Sequence, residues 1–375
     1  MTRFFSLLGT ILFLGSSVSL AAESVVISDG HGAELPRQPQ IVIDGEGVIH
    51  ATFGKGKSVF YCQSTDRAKS FSSPVQLPGY EVLALGMRRG PRIAATKGTL
   101  CISLIGGPVG KGSNGDLLTF TSGDGGKNWK GPVIVNEVAH SAREGLHAMA
   151  AGPKGAVCCA WLDLRNKGTE IMASVSNDGG KTWRSNQLVY RSPDGSVCEC
   201  CHPSVAYGPD GQLHVMWRNS LGGNRDMYAA SSKDGGKTFS GATKLGNVTW
   251  ELDACPMDGG CIGVSPNGSI ATSWRRDKDI FLTSGKLPRG QLVGTGRQPW
   301  ITATSKGEYL VWVSSKSGEL MLVSPGHDQP SRLASGADDP VIATGPQGKG
   351  MVVAAWESRG HGKGSVLCQV VSEDK

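Results

Sequence analysis

Two sets of side chains in this sequence have the types and spacing for chemistry. The first is Cys198-Glu-Cys200-Cys201-His202, joined further on by Cys255-Pro-Met257-Asp-Gly-Gly-Cys261, all in polar stretches. Three chemistries suit it. Disulfides bracing the loops are the usual use of loop cysteines in an exported chain, and need no cofactor. A metal ion held by Cys198, Cys200, Cys201, His202 and Cys255 would be zinc or copper, which favour thiolate and imidazole. Cys198-x-x-Cys201-His202 also has the form of a c-type haem attachment, with Met257 placed to be a second axial ligand. Cys62, Cys101, Cys158, Cys159 and Cys368 lie instead in apolar strand-like runs and read as small buried hydrophobes.

The second set is Arg. Arg37, Arg88, Arg89, Arg92, Arg143 and Arg297 cluster where one kind of repeated strand begins, and Arg165, Arg218, Arg225, Arg275, Arg276 and Arg359 follow the next strand. The planar guanidinium fork suits carboxylate, sulfate or phosphate. Glu144, Asp163, Asp226, Asp253, Asp258, Asp277 and Glu357 share these stretches. A network of Arg–carboxylate pairs tying loops together therefore competes with a site for an anionic ligand.

The elements that must position these groups are strands. Gly supplies 54 of 375 residues, and short alternating apolar runs lie between Gly, Pro, Asp and Asn clusters, the pattern of an all-β chain. Three segments nearly coincide: Ser122-Gly-Asp124-Gly-Gly126-Lys-Asn-Trp129, Ser176-Asn-Asp178-Gly-Gly180-Lys-Thr-Trp183 and Ser232-Lys-Asp234-Gly-Gly236-Lys-Thr-Phe239. A worn copy, Ser64-Thr-Asp66-Arg-Ala-Lys-Ser-Phe71, precedes them. Ser and Asp can accept from nearby backbone N–H groups, and Gly takes the positive φ of a tight turn, so these read as structural hairpins.

A second repeat places a turn Gly about six residues before a large apolar residue: Gly47–Phe53, Gly98–Leu104, Gly155–Trp161, Gly211–Trp217, Gly268–Trp274, Gly307–Trp312 and Gly350–Trp356. The units begin near Pro39, Pro91, His147, Pro203, Gly259, Pro299 and Pro340. This spacing predicts a β-propeller of four-stranded blades, seven rather than six. The last unit runs out near Val371 after three strands, and Ser24 to Ser28 is a spare strand that would complete it and close the ring. Residues 23–375 then form one propeller domain.

Residues 1–22 read as a secretory signal, with Arg3, an apolar run from Phe4 to Leu14 and small residues at Ser19-Leu20-Ala21, so the protein is expected in the periplasm or secreted. That run is too short to span a bilayer, and no other is long enough, so stable membrane insertion is not expected. The net charge of +6 is spread without a Lys/Arg run, which gives no support to nucleic-acid binding.

Strand direction assigns faces. If each first strand begins at the upper face, the Ser-x-Asp turns, which join third to fourth strands, lie on the lower face. The Arg and Cys sets gather on the upper one.

The Ser-x-Asp-x-Gly-x-x-Trp/Phe segments resemble the Asp-box, or bacterial neuraminidase repeat, of the sialidase-like propeller superfamily, and the likeness covers most of the chain after residue 22. For sialidases it implies three Arg on a substrate carboxylate, the first in an Arg-Ile-Pro motif. Arg89-Gly90-Pro91 is similar in form, and Arg218 and Arg275 each directly follow a second-strand Trp. Arg143, Arg165 and Arg225 are further anion-binding candidates. An Asp acid/base on an upper loop is implied, for which Asp163 stands first, then Asp226 and Asp253, with Glu144 beside them. Two features depart from the sialidase pattern. Sialidases have six blades, and their nucleophile is a Tyr activated by a Glu. Tyr80-Glu81 is on an upper loop, but neighbours in extended chain point apart. A pair of carboxylates can still support hydrolysis. Three functions follow: a glycoside hydrolase acting on sialic-acid-like glycans or another anionic ligand, a non-catalytic binding module or assembly factor with a protein partner, and a metal- or thiol-dependent protein centred on the Cys198–His202 segment.

Overall fold

The structure is a computed structural model that describes residues 23–79, 83, 85–107, 115–285, 290–315, 318–327, 329–360 and 363–373. The signal-like segment 1–22 and Tyr80-Glu81 lie outside the described residues. Among the described residues, no helix is long and apolar enough to cross a membrane.

Five sheets are four-stranded and one has seven strands. In that sheet, Gln291–Thr304 pairs with Asp279–Thr283 along its first part and with Gly307–Ser314 along its second. It is the outer strand of one four-stranded unit and the inner strand of the next. Among the described residues, the pairing thus gives seven four-stranded antiparallel units. Their inner strands are Pro36–Ile43, Arg92–Thr96, Ala142–Ala151, Ser204–Tyr207, Cys261–Val264, the second part of Gln291–Thr304, and Ala337–Thr344. Each packs on the next, and the last packs on the first. Val25–His31 pairs with Lys363–Ser372 as the outer strand of the last unit, which closes the propeller. A central channel of about 470 Å³ is lined by all the inner strands toward their lower ends.

The core lies between blades. Trp217, Leu213 and Val205 of the fourth blade pack against Leu146, Ala160 and Val175 of the third. A second strand such as Val157–Asn166 is buried on both faces and so reads as a continuous apolar run, whereas the outer strand Lys130–Ile134 is exposed throughout. Trp161, Trp217, Trp274, Trp312, Trp356, Phe53 and Leu104, the large residues of the second repeat, are all buried. Burying each contributes about 1.5–3 kcal/mol. Cys62, Cys101, Cys158, Cys159 and Cys368 are buried free thiols, as their apolar context predicts. Cys261, read from sequence as a loop residue, instead opens the fifth inner strand and is buried, because the polar loop ends at Gly260.

The Asp-boxes are hairpin turns. The Gly126 N–H donates to Ser122 Oγ at 2.8 Å, and the Asn128 N–H to Asp124 Oδ1 at 3.0 Å. The Asn128 N–H, the Asn128 side chain donating to Asp124 Oδ2 at 2.7 Å and Ser122 Oγ donating to Asp124 Oδ1 at 2.8 Å hold the Asp124 carboxyl down to about 2. A carboxylate whose two oxygens are taken up by its own turn fits a structural role.

Candidate functional site at the upper face

The upper face is built from the residues that lead into the inner strands. Arg37-Gln38-Pro39, Arg297-Gln298-Pro299 and Asp338-Asp339-Pro340 occupy the same place in three blades. In each, the middle residue is left-handed, with φ of 55°, 58° and 44°, and the inner strand bulges there. These side chains bond across to the neighbouring blades. Gln298 Nε2 donates to Asp339 Oδ1 at 2.8 Å, and the Asp339 N–H donates back to Gln298 Oε1 at 3.0 Å. The Gln38 N–H donates to Glu357 Oε1 at 2.7 Å. Arg88 donates to the carbonyls of Gln298 and Pro340, sits 3.8 Å from Asp339, and covers the Trp300 ring at 4.9 Å.

Asp338, Asp339 and Glu357 converge, with carboxylate oxygens within 4.8 Å of one another. Burial, then the neighbouring Asp339, pushes Glu357 up to about 7 against the pull of Arg359, and burial raises Asp339 as well. Arg359 is ion-paired with Glu357. Arg359 and Arg37 together line a pocket of about 210 Å³, walled by Leu35, Leu85, Ala33 and two Gly. A Cβ on Gly56 would come within 2.8 Å of Glu34 Oε1, so Glu34 stands at its rim. Sequence reasoning placed Arg37, Arg359 and Glu357 on this face without selecting them. The available signal was register, since Glu357 follows Trp356 as Arg218 follows Trp217.

The residues selected from sequence are distributed differently. Arg218 is buried and its guanidinium donates to the carbonyls of Asp258, Arg225 and Arg275 at 3.1, 2.7 and 2.8 Å, so it ties loops together. Arg275 pairs with Asp258 at 3.1 Å and donates to Pro256 O. Both lie over the Trp250 ring. Asp163 is fully buried and accepts from Ser141 Oγ, Trp161 Nε1, and the backbone and guanidinium of Arg165. Arg165 also donates to Asn186 at 2.7 Å. Asp226 is held by Lys244 at 2.7 Å and by the Trp250 N–H at 2.9 Å. Arg143 pairs with Glu199 at 3.1 Å, which braces the cysteine segment. Arg89 and Arg225 are half-buried, Asp253 is exposed, and the side chain of Glu144 lies outside the described residues. None of the described side chains among these lines the Arg37–Arg359 pocket.

Cys200 and Cys255 form a disulfide between the loops entering the fourth and fifth inner strands. Two of the five proposed metal ligands are therefore bonded to each other. Cys198 and Cys201 are free and buried, with sulfurs 3.3 Å apart. The hydrogen bond with Cys201, then Arg218 and Arg225, brings Cys198 down to about 7 against burial. His202 is buried, stacked on Trp300 at 6.0 Å, and its Nδ1 accepts from the Gly259 N–H at 3.3 Å. Burial, then Arg88, Arg92 and Arg218, pushes it well below its ordinary value, so it is neutral. The two sulfurs of the haem-attachment pattern thus lie side by side and buried, and its imidazole is buried and stacked on Trp300.

A family model described as a BNR repeat-like domain matches residues 48–196 and 106–271, together more than half of the chain. No curated protein matches the sequence. Among solved structures, an ulvan lyase, described as a polysaccharide lyase, is similar at a TM-score of 0.58 and 11% identity, covering 94% of this chain and 96% of that one. An α-L-arabinanase of Penicillium chrysogenum, complexed with arabinobiose, gives 0.55 and 14%, covering 93% and 98%. A protein of unknown function from Dyadobacter fermentans gives 0.53 and 15%, covering 92% and 99%. At these identities the likeness establishes the fold alone. With the matched repeats, the Asp-box turns and the ring of four-stranded sheets, this chain belongs to the BNR repeat-like domain family and folds as a propeller.

Proposed function

We propose that this protein acts on an anionic glycan, a sugar bearing a carboxylate of the sialic acid kind, held at the upper face by Arg37 and Arg359. The observation that carries this reading is the small pocket those two Arg line. At about 210 Å³ it is below the roughly 300–1,000 Å³ of clefts for drug-sized ligands, which suits a single charged ring. Glu357, behind Arg359, tunes the pocket: when protonated it frees the guanidinium for the ligand. The arabinanase and ulvan lyase, both carbohydrate-acting by name, lend support from the same fold.

The test is calorimetric binding of a sialylated trisaccharide against its neutral disaccharide, followed by turnover of fluorogenic acidic glycosides. Binding of the acidic sugar alone is expected, weakened about ten- to a hundredfold in Arg359→Ala, as loss of a charged hydrogen bond of about 1.5–3 kcal/mol implies. Equal binding of the neutral sugar would sink the proposal. Binding without turnover identifies a glycan-binding module, a reading favoured by one observation: among the described residues, no Tyr lines the pocket. The same proposal places the protein outside the cytoplasm, in keeping with the signal-like start and the Cys200–Cys255 disulfide. Fractionation that recovers the unprocessed chain from the cytoplasm would remove that part.

A further inference from the structure

The four loop cysteines are arranged for more than bracing. Cys198, Cys200 and Cys201 are all buried, and they form a sulfur cluster separate from the apolar cores between blades. Cys198 Sγ lies 3.3 Å from Cys201 Sγ and 3.8 Å from Cys200 Sγ, and Cys201 Sγ lies 4.0 Å from Cys200 Sγ. Cys200 is already bonded to Cys255, which is exposed. A buried dithiol thus touches the buried end of a disulfide whose other cysteine is exposed. A purely structural bridge requires no dithiol behind it. The cluster is also held in register. The Cys198 N–H donates to Arg218 O at 3.1 Å, and Glu199 is fixed by Arg143 at 3.1 Å and Ser196 Oγ at 3.1 Å. The guanidiniums of Arg218 and Arg225 stand near Cys198 and favour a thiolate there.

We propose that Cys198, Cys200, Cys201 and Cys255 form a thiol–disulfide exchange centre, which passes a disulfide between the exposed Cys255 and the buried Cys198/Cys201 pair and takes thiols as its substrate class. Cys198, having released its proton to solvent, attacks Cys200 Sγ. The Cys200–Cys255 bond breaks, Cys255 leaves as a thiolate and is protonated, and a Cys198–Cys200 bond forms. Cys201, deprotonated in turn, attacks Cys198 Sγ. A Cys198–Cys201 bond forms and Cys200 leaves as a thiol. One disulfide and two thiols are present before and after, so no outside oxidant or reductant enters. An external dithiol then meets a disulfide at the surface in the first state. In the second, an external disulfide meets the Cys255 thiol.

The test is alkylation of the folded full-length protein by iodoacetamide without reductant, followed by acid quenching, peptide mapping of the disulfides and metal analysis. The expected result is alkylation of Cys255 over minutes to hours, the timescale of uncatalysed disulfide rearrangement, with Cys198–Cys201 bonded in the labelled molecules. Cys198→Ser is expected to slow Cys255 labelling at least about tenfold, since the first attack is lost. Cys201→Ser is expected to keep the labelling but trap a Cys198–Cys200 bond, a signature that bracing alone cannot give. A Cys200–Cys255 bond that stays intact and unlabelled in the wild-type protein overturns the proposal. So does a stoichiometric soft metal with all four cysteines reduced, which would make the cluster a metal site. The wild-type measurement decides the question even if a variant fails to fold.

Discussion

At the scale of single residues, environment decides what each charged group can do. Asp163 and Glu357 are both buried carboxylates, yet Asp163 is surrounded by donors while Glu357 has another acid beside it. The raised Glu357 means that the folded protein holds this proton more tightly than the unfolded chain does. Its contribution to stability is complete below its ordinary value of 4.5 and is lost as pH rises through about 7. His50, His147, His202 and His214 are all lowered and act oppositely, costing stability as pH falls below 6.5. The Glu357 part is isolated by comparing wild type with Glu357→Gln in urea at several pH values. The variant is expected to gain on the wild type by roughly 1–3 kcal/mol between pH 4.5 and 8, with Asp338, Asp339 and Arg359 unchanged around it. A difference that is flat with pH would show that Arg359 keeps Glu357 ionised throughout.

At the scale of elements, the Asp-box is the clearest case of a local rule serving a global one. The hydrogen bonds of its Ser and Asp are internal, but its second Gly faces the preceding blade. Gly180 has φ of 93°, and a Cβ there would come within 2.4 Å of Cys101 Sγ. Gly180→Ala therefore strains the backbone and crowds the blade interface at once. It is expected to destabilise by about 2–4 kcal/mol, seen as a lower midpoint in thermal unfolding, with glycan binding unchanged because the upper face is remote. A loss below about 0.5 kcal/mol would mean that the turn relaxes freely. The strand-entry motifs show the reverse case. Gln38, Gln298 and Asp339 are ordinary polar residues before a Pro in the sequence. Only the left-handed bulges aim their bonds into adjacent blades.

At the scale of the whole molecule, the decisive contact joins the two ends of the chain. Val25–His31 supplies the outer edge of the blade whose other strands come from the C-terminus. Deleting residues 23–31 leaves Lys363–Ser372 as an open edge, which pairs readily with other chains. The truncated protein is expected to run as soluble aggregate or oligomer by size-exclusion chromatography with light scattering. A stable monomer with wild-type melting would show that closure rests on the inner strands alone.

The sequence by itself determined the strands, the turns, the fold class and the division into two faces. These depend on local periodicity and on turn residues whose backbone demands travel with them, as at Ser176-Asn-Asp178-Gly-Gly180. It also separated the five cysteines of the apolar strands from the segment around Cys198, but placed Cys261 in a loop. Tertiary structure decided which charges were already committed. Arg218 and Asp163 read as ligand-facing groups because they follow strands at the right face, but both bond to protein partners, for Arg218 up to 57 positions away. It also decided that Arg37 meets Arg359 at a pocket and that Cys200 meets Cys255. Closing a ring brings the first blade against the last, and the polar groups placed there depend on which neighbours arrive to share burial and charge.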